Sequence, residues 1–110
     1  MALVDSGATT TFIPTEFAEM LELSNVEDEK NEVDAHGAGG HFKTWLTHLD
    51  MVEFIKGASV VAEFRNMRVL VPTDPDAIPY VVLGRDHIFR SFDITFRERT
   101  QRTVFRQSKA

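Results

Sequence analysis

Short β-forming runs separated by turn residues recur along almost the whole of this 110-residue chain. The runs are rich in β-branched and aromatic side chains, and glycine, proline, aspartate or asparagine lies between them. The runs that we predict as strands are residues 2–5, 10–13, 60–64, 67–71, 80–84, 93–96 and 102–105, with two further β-rich arms between 33 and 54. Because no strand–helix–strand rhythm interrupts this series, the pattern predicts a mainly β, barrel-like domain.

Two short segments have a helical pattern instead. Thr15 follows a proline and is predicted as the N-cap of the first helix, which would bury Phe17, Met20 and Leu21 on one face. Residues 85–92 have a similar apolar stripe and are predicted as a second short helix.

Turn residues predict the connections between the strands. The acidic stretch 27–32 has no periodicity and predicts a solvated loop, and Lys56-Gly57 predicts a tight turn. The segment 72–79 contains three prolines and predicts a longer loop. Residues 36–41, His-Gly-Ala-Gly-Gly-His, lie between the two β-rich arms and predict a hairpin with a glycine tip.

Composition restricts the class of protein. The net charge is −5, there is no cysteine, and no apolar run approaches the length of about 18–20 residues that a membrane span needs. We therefore expect one domain over residues 1–110, without disulfides and without a membrane partner, and a cytoplasmic location is favoured. Arginines cluster near the C-terminus, but they alternate with Thr, Val and Phe, so a strand surface is favoured over nucleic-acid binding.

The stretch ALVDSGATTTFIP (residues 2–14) is the first candidate site. A β-forming run stops at Asp5-Ser6-Gly7 and resumes at once, which places a carboxylate at a sharp backbone turn. Taken alone, this tripeptide is as typical of an ordinary β-turn as of a catalytic loop.

Two further motifs follow the Asp-Ser-Gly segment along the chain. The segment Asp5–Ala8 (Asp-Ser-Gly-Ala) precedes the glycine-tipped hairpin, and Val82–Asp86 (Val-Leu-Gly-Arg-Asp) lies near the end of the chain. In this combination the chain resembles the retropepsin family of aspartic proteases, and is most similar to its retrotransposon and cellular branches. The resemblance implies the retropepsin-like closed β-barrel of the acid proteases, with one or two short helices.

The resemblance also implies roles for individual residues. Asp5 would be the catalytic carboxylate, Ser6 would tie the catalytic loop to that of a partner subunit, and Gly7 would bind the substrate backbone. Substrate contacts are implied for Ala8, Thr10, Phe12, Gly37, Ala38, Gly39, Gly40 and Val82. Structural support beneath the catalytic loop is implied for Leu83, Gly84, Arg85 and Asp86.

Hydrolysis by aspartates needs two carboxylates that share one proton, whereas this chain has one Asp-Ser-Gly motif. We therefore expect a homodimer that pairs two copies of Asp5 and cleaves an extended peptide or polyprotein without a cofactor. The terminal hairpin, residues 93–105, is the candidate interface because its apolar residues alternate with polar ones. The alternative is a catalytically idle domain that serves dimerisation or peptide binding.

Two departures from the family pattern matter. Many viral members have, directly after the motif, an aspartate that pairs with the arginine of the Gly-Arg element. Thr9 occupies that position here, so Arg85 is expected to pair with Asp86 or Asp93 instead. Family members also carry a β-hairpin before the motif, so we expect the N-terminal strands of the domain to be missing from this sequence.

Two other kinds of site are disfavoured. His36 and His41 flank the glycine tip and could converge across the hairpin, but no third metal ligand is evident, so no metal site is predicted. The glycine cluster does not have the spacing of a nucleotide-binding loop and does not lie between a strand and a helix.

Overall fold

The structure is a computed structural model that describes residues 2–23, 31–37, 40–97 and 99–108. The strands are β1 (Ala2–Val4), β2 (Thr11–Phe12), β3 (Glu32–Gly37), β4 (Gly40–Lys56), β5 (Ser59–Pro72), β6 (Val81–Leu83), β7 (Phe92–Arg97) and β8 (Arg102–Gln107). The helices are α1 (Thr15–Met20) and α2 (Ile88–Ser91). The prediction of a mainly β fold with short helices is confirmed. Most of the predicted acidic loop, and the hairpin tip at residues 38 and 39, lie outside the described residues.

Six strands form one curled sheet in the order β1-β6-β2-β5-β4-β3, so that it resembles half of a barrel. β1 runs parallel to β6, and β2 lies between β6 and β5, antiparallel to the first and parallel to the second. The short strands β1 and β2, which flank the Asp-Ser-Gly turn, are therefore both hydrogen-bonded to β6. The strands β7 and β8 form a separate antiparallel ribbon.

The long hairpin of β4 and β5 replaces several shorter predicted strands. Residues 60–64 and 67–71 were expected to form two strands, and this is wrong, because β5 runs through both. Asn66 has a φ of 50°, and the strand turns there so that Phe64 and Met67 both face the core. The predicted tight turn after β4 is present, with Gly57 at a φ of 62°.

The first helix differs from the prediction at its N-cap and in the residues that it buries. Pro14 occupies the N-cap position of α1 without a side-chain cap, and the hydroxyl of Thr15 donates instead to the carbonyl of Pro72. The prediction of a buried Met20 and Leu21 is wrong, since their exposed fractions are 72% and 55%. Leu21 follows the last helical residue and no longer keeps the helical period. The helix faces the core through Phe17 and the buried Ala18.

The second helix begins three residues later than predicted. His87 has a φ of 69°, which no regular helix allows, so α2 starts only at Ile88. The backbone N–H of Phe89 still donates to the carbonyl of Arg85, which joins the helix to the segment before it. None of the helices in the described ranges is long and apolar enough to cross a bilayer.

Two apolar clusters form the interior. The first, around the β5 side chains that face α1, α2 and β7, contains Ile13, Ala18, Phe64, Met67, Val69, Val71, Ile88 and Phe92. The second contains Ala8, Phe12, Ala35, Leu70 and Val82. The second cluster joins the residues after the Asp-Ser-Gly turn to β5, to β6 and to the β3–β4 hairpin, and it therefore lies next to the candidate site.

Candidate active site

The Asp-Ser-Gly turn is closed by local hydrogen bonds. The N–H of Gly7 donates to Oδ1 of Asp5 at 2.8 Å, and the N–H of Ala8 donates to the carbonyl of Asp5 at 3.2 Å. The N–H of Asp5 in turn donates to the carbonyl of Leu83 on β6 at 3.0 Å. Asp5, Ser6 and Gly7 are exposed while Ala8 is buried, so the turn is anchored at its end and presents its carboxylate at the surface.

The segment that follows β6 is hydrogen-bonded to the residues that follow the turn. The N–H of Arg85 donates to the carbonyl of Ala8 at 2.9 Å, and the N–H of Asp86 donates to the carbonyl of Thr9 at 2.8 Å. Both contacts are made by backbone atoms. The resemblance to the retropepsins implies that Arg85 and Asp86 support the Asp-Ser-Gly turn. These two hydrogen bonds are the contacts through which they would do so.

Gly84 lies in the tightest contact of this region. A Cβ atom built on Gly84 would lie 2.5 Å from both the carbonyl carbon and the carbonyl oxygen of Thr10. Backbone atoms cannot yield as a flexible side chain can, so only glycine fits at this position.

Thr11 is a residue that the sequence reasoning missed. Its Oγ1 accepts a hydrogen bond of 3.0 Å from the N–H of Gly84, and only 3% of the residue is exposed. The available signal was weak, because Thr11 is the last of three consecutive threonines before the apolar pair Phe12-Ile13, and nothing local distinguishes it from the other two. Nothing local in the sequence identifies its hydrogen-bond partner, because Gly84 lies 73 residues later in the chain.

The structure brings three of the predicted substrate-contact residues together. Ala8, Phe12 and Val82 each have an exposed fraction of 8% and belong to the second cluster, and Phe12 lies opposite Val82 in register. The ring of Phe42, on β4, lies 5.5 Å from that of Phe12. The β3–β4 hairpin therefore packs through Phe42 directly on the strand that follows the Asp-Ser-Gly turn, while Thr10 beside it is half-buried.

The β3–β4 hairpin is the predicted hairpin between the two β-rich arms. Its last described pairs are His36 with His41 and Gly37 with Gly40, and the predicted tip residues Ala38 and Gly39 lie outside the described residues. The imidazole rings of the two histidines are 4.0 Å apart in an edge-on arrangement. Over the part of the chain that the structure describes, no group of three or more histidine, aspartate or glutamate side chains is placed to hold a metal ion.

An ion pair stabilises the base of the same hairpin. The Nζ of Lys43 lies 3.1 Å from Oε1 of Glu32 across the strand pair. The hydrogen bond and the negative charge of Glu32, with a smaller contribution from the charge of Asp34, raise the pKa of the Lys43 amino group. Both side chains of the pair are partly in solvent, so its effect on stability is screened.

The expected ion pair of Arg85 with Asp86 or Asp93 is not formed. Among the described residues the ion pairs are Lys43–Glu32 and Arg65–Glu63, and Arg85 is exposed. Asp93 instead accepts a hydrogen bond from the hydroxyl of Ser108 at 3.0 Å. The physical reason is that the segment is held through its backbone N–H groups, which leaves the guanidinium in solvent.

A cavity of about 620 Å³ lies away from this turn. It is bordered by Ala2 and Leu83 at one side and by Phe54, Phe92 and Phe105 at the other, and it includes neither Asp5 nor the two residues after it. The candidate site is therefore defined by the turn, the β6 segment and the β3–β4 hairpin, and not by this cavity.

These features define a mainly β protein with an exposed aspartate in a turn, followed by a strand on which a hairpin packs. The sequence profile of the aspartyl protease family matches residues 1–87, and the chain therefore belongs to this family. It is similar in structure to a retropepsin-like aspartic protease from Rickettsia conorii, with a TM-score of 0.59, 21% identity, and coverage of 86% of this chain and 72% of that one. At this identity the likeness establishes the retropepsin-like β fold, as the sequence predicts. No curated protein sequence matches the chain.

Proposed function

We propose that this chain is an aspartic endopeptidase that acts as a homodimer and uses one Asp5 from each subunit. The observation that carries the proposal is the exposed carboxylate of Asp5, held by Gly7 and anchored to β6 through Leu83. The chain supplies one such carboxylate, and peptide hydrolysis by this chemistry needs two within hydrogen-bond reach. A two-fold axis next to the turn would bring them together.

The chemistry follows from the shared proton. Two carboxyl groups so close together do not both ionise, so one is a base and the other an acid. The ionised group takes a proton from a water molecule, whose oxygen attacks the scissile carbonyl carbon, while the protonated group gives its proton to the carbonyl oxygen. The carboxyl group that took the proton from water then gives it to the amide nitrogen, and the other carboxylate takes a proton from one hydroxyl of the diol. The C–N bond breaks, and the pair again holds one proton.

The neighbouring residues would then position the substrate. Ser6 would donate its hydroxyl to the turn of the second subunit, and Gly7 would approach the substrate backbone without an intervening side chain. The peptide would bind extended between the turn and the β3–β4 hairpin, with side chains directed toward Phe12 and Val82. The packing of Phe42 on Phe12 supports this arrangement, because it holds the hairpin over the same strand.

The direct test compares Asp5→Asn with Asp50→Asn, a matched change at an exposed aspartate of β4. An unfolded protein substrate is incubated at acid pH with each variant, and cleavage by the wild type should be blocked by a peptide isostere that bears a hydroxyl group. We expect Asp5→Asn to lower kcat by a factor on the order of 10²–10⁴. The fold should persist, because the asparagine carbonyl can still accept from Gly7. Unchanged cleavage by Asp5→Asn, or an active protein that sediments only as a monomer, would overturn the proposal.

A catalytically idle domain that binds peptides or dimerises is the second candidate. It is favoured by the exposed Arg85, which makes no ion pair among the described residues, whereas related viral proteases pair the corresponding arginine with an aspartate. A stable dimer that binds the peptide isostere but cleaves no substrate would support this candidate.

A further inference from the structure

A second, polar cavity of about 280 Å³ lies between β4, β5 and the beginning of α2. Its lining residues all have polar side chains: His48, Asn66, Arg68, Asp86, His87 and Arg90. Asp86 is expected to support the catalytic loop through its backbone, and the other residues have no part in the proposed hydrolysis. The cavity is therefore a site of its own.

Two residues that line this cavity have a positive φ angle. Asn66 and His87 have φ angles of 50° and 69°, in the left-handed region that side chains with a Cβ rarely adopt. The described chain contains four such non-glycine residues, and two of them line this one cavity. Backbone of this kind is typical of binding and catalytic sites, where the surrounding structure holds side chains in a required direction.

The charges in the cavity are not neutralised by neighbours. Arg68 and Arg90 are exposed, and neither takes part in the ion pairs found among the described residues. His48 lies directly opposite Arg68 in the β4–β5 register, which brings an imidazole beside a guanidinium. Asp86 is the only acidic residue among those that line the cavity. The lining therefore favours an anion.

The number of donors indicates which anion. Each guanidinium has five N–H donors in a planar fork, and the imidazoles and the Asn66 amide add further donors. A carboxylate has two oxygens in one plane, with about four acceptor positions for donors that come here from three elements of structure. A tetrahedral oxyanion, with four oxygens pointing in different directions, can use them.

We propose that this cavity binds inorganic phosphate in its hydrogen phosphate form. Hydrogen phosphate keeps one P–OH group at neutral pH, and this group can donate to the carboxylate of Asp86 while the remaining oxygens accept from Arg68 and Arg90. Sulfate has the same shape but no proton, and a phosphate monoester loses its last proton with a pKa of about 6. Each would place an unprotonated oxygen against Asp86. The site therefore prefers hydrogen phosphate to both.

The experiment is a calorimetric titration of the whole chain with inorganic phosphate at neutral pH, with sulfate, phenyl phosphate and chloride at matched ionic strength as parallel titrants. Arg68→Gln and Arg90→Gln should each weaken phosphate binding by about tenfold, the loss expected for one charge-assisted hydrogen bond. Arg106→Gln removes the same charge from an exposed position on β8 and should leave binding unchanged. Equal weakening by Arg106→Gln, or equal affinity for chloride, would reduce the effect to general screening and overturn the proposal.

The variant Asp86→Asn tests the choice of anion. Asparagine keeps the backbone N–H that bonds to Thr9 and can donate from its amide, so sulfate should bind more tightly and the preference for phosphate should disappear. An unchanged ratio of phosphate to sulfate affinity would contradict the hydrogen phosphate assignment. Thermal unfolding with and without phosphate gives a second measurement, in which a folded Arg68→Gln protein is stabilised less than the wild type at the same phosphate concentration. None of these results depends on Asp5 or on peptide cleavage.

Discussion

The backbone N–H of Gly84 donates a hydrogen bond of 3.0 Å to the buried Oγ1 of Thr11, which lies 73 residues earlier in the chain. Together with the bonds from Arg85 to Ala8 and from Asp86 to Thr9, it joins the segment after β6 to the segment that follows the Asp-Ser-Gly turn. The position of Asp5 therefore depends on contacts made by residues far away in the sequence.

Removing the hydroxyl of Thr11 tests this dependence. In Thr11→Val the shape is kept but the buried N–H of Gly84 loses its acceptor, and the free energy of unfolding should fall by about 1–3 kcal/mol. Thr11→Ser keeps the acceptor and should recover most of that loss. The measurement is urea unfolding at one fixed protein concentration. A Thr11→Val protein as stable as the wild type would show that this bond contributes little.

A methyl group at Gly84 should be more damaging than one at another glycine. Gly84→Ala places a Cβ 2.5 Å from the backbone of Thr10, and we expect a loss of about 3 kcal/mol, the upper range for an overpacked site. Gly57→Ala is the matched control, since Gly57 has a φ of 62° and no heavy atom within 4 Å of the added Cβ. That change should cost only about 1–2 kcal/mol, for the left-handed backbone alone. Unfolding in urea compares the two, and equal losses would contradict the close contact at Gly84.

The sequence predicts those parts of the fold that depend on local patterns. Alternating and continuous apolar runs located most of the strands, and glycine correctly marked the turn at Gly57. The sequence did not predict that β5 is continuous, because the polar residues Arg65 and Asn66 interrupt the apolar run and are typical of a connection between two strands. The left-handed backbone of Asn66 rotates the strand, and this becomes visible only when Phe64 and Met67 are seen in the same core.

The candidate site shows the same division. The Asp-Ser-Gly motif and the Val-Leu-Gly-Arg-Asp motif can be found by reading the chain, and the resemblance to the retropepsins connects them. The partner of Thr11 and the environment of Arg85 cannot be found in this way, because they depend on contacts between β2 and the segment after β6. Outside the site, the exposure of Met20 on α1 was not predicted either, since a helix of six residues has too few turns for its sequence to define the buried face.

The contact between Phe12 and Phe42 predicts how the hairpin affects substrate binding. If the hairpin covers a bound peptide, Phe42→Ala should raise KM by about twofold to tenfold, since an aromatic pair contributes about 0.5–1.5 kcal/mol. Met20→Ala is the control on α1, where the side chain is 72% exposed and lies outside the site and the candidate interface, and its KM should not change. Steady-state cleavage of a peptide substrate gives both constants. A Phe42→Ala protein that loses stability without any change in KM would indicate that the hairpin is only a structural wall.

The rate of cleavage should depend on pH as a bell-shaped curve. The proposed chemistry requires one ionised and one protonated carboxyl group in the Asp5 pair. Acid protonates both and removes the base, whereas alkali ionises both and removes the acid, so the optimum should lie on the acid side of neutral. The measurement is kcat/KM from about pH 3 to pH 9 at constant ionic strength, with circular dichroism and sedimentation at each pH to exclude unfolding and dissociation. Asp50→Asn should give the wild-type curve, because that exposed carboxylate lies on β4, outside the turn. A flat profile, or an optimum above about pH 8, cannot come from a carboxylate pair and would favour the idle domain.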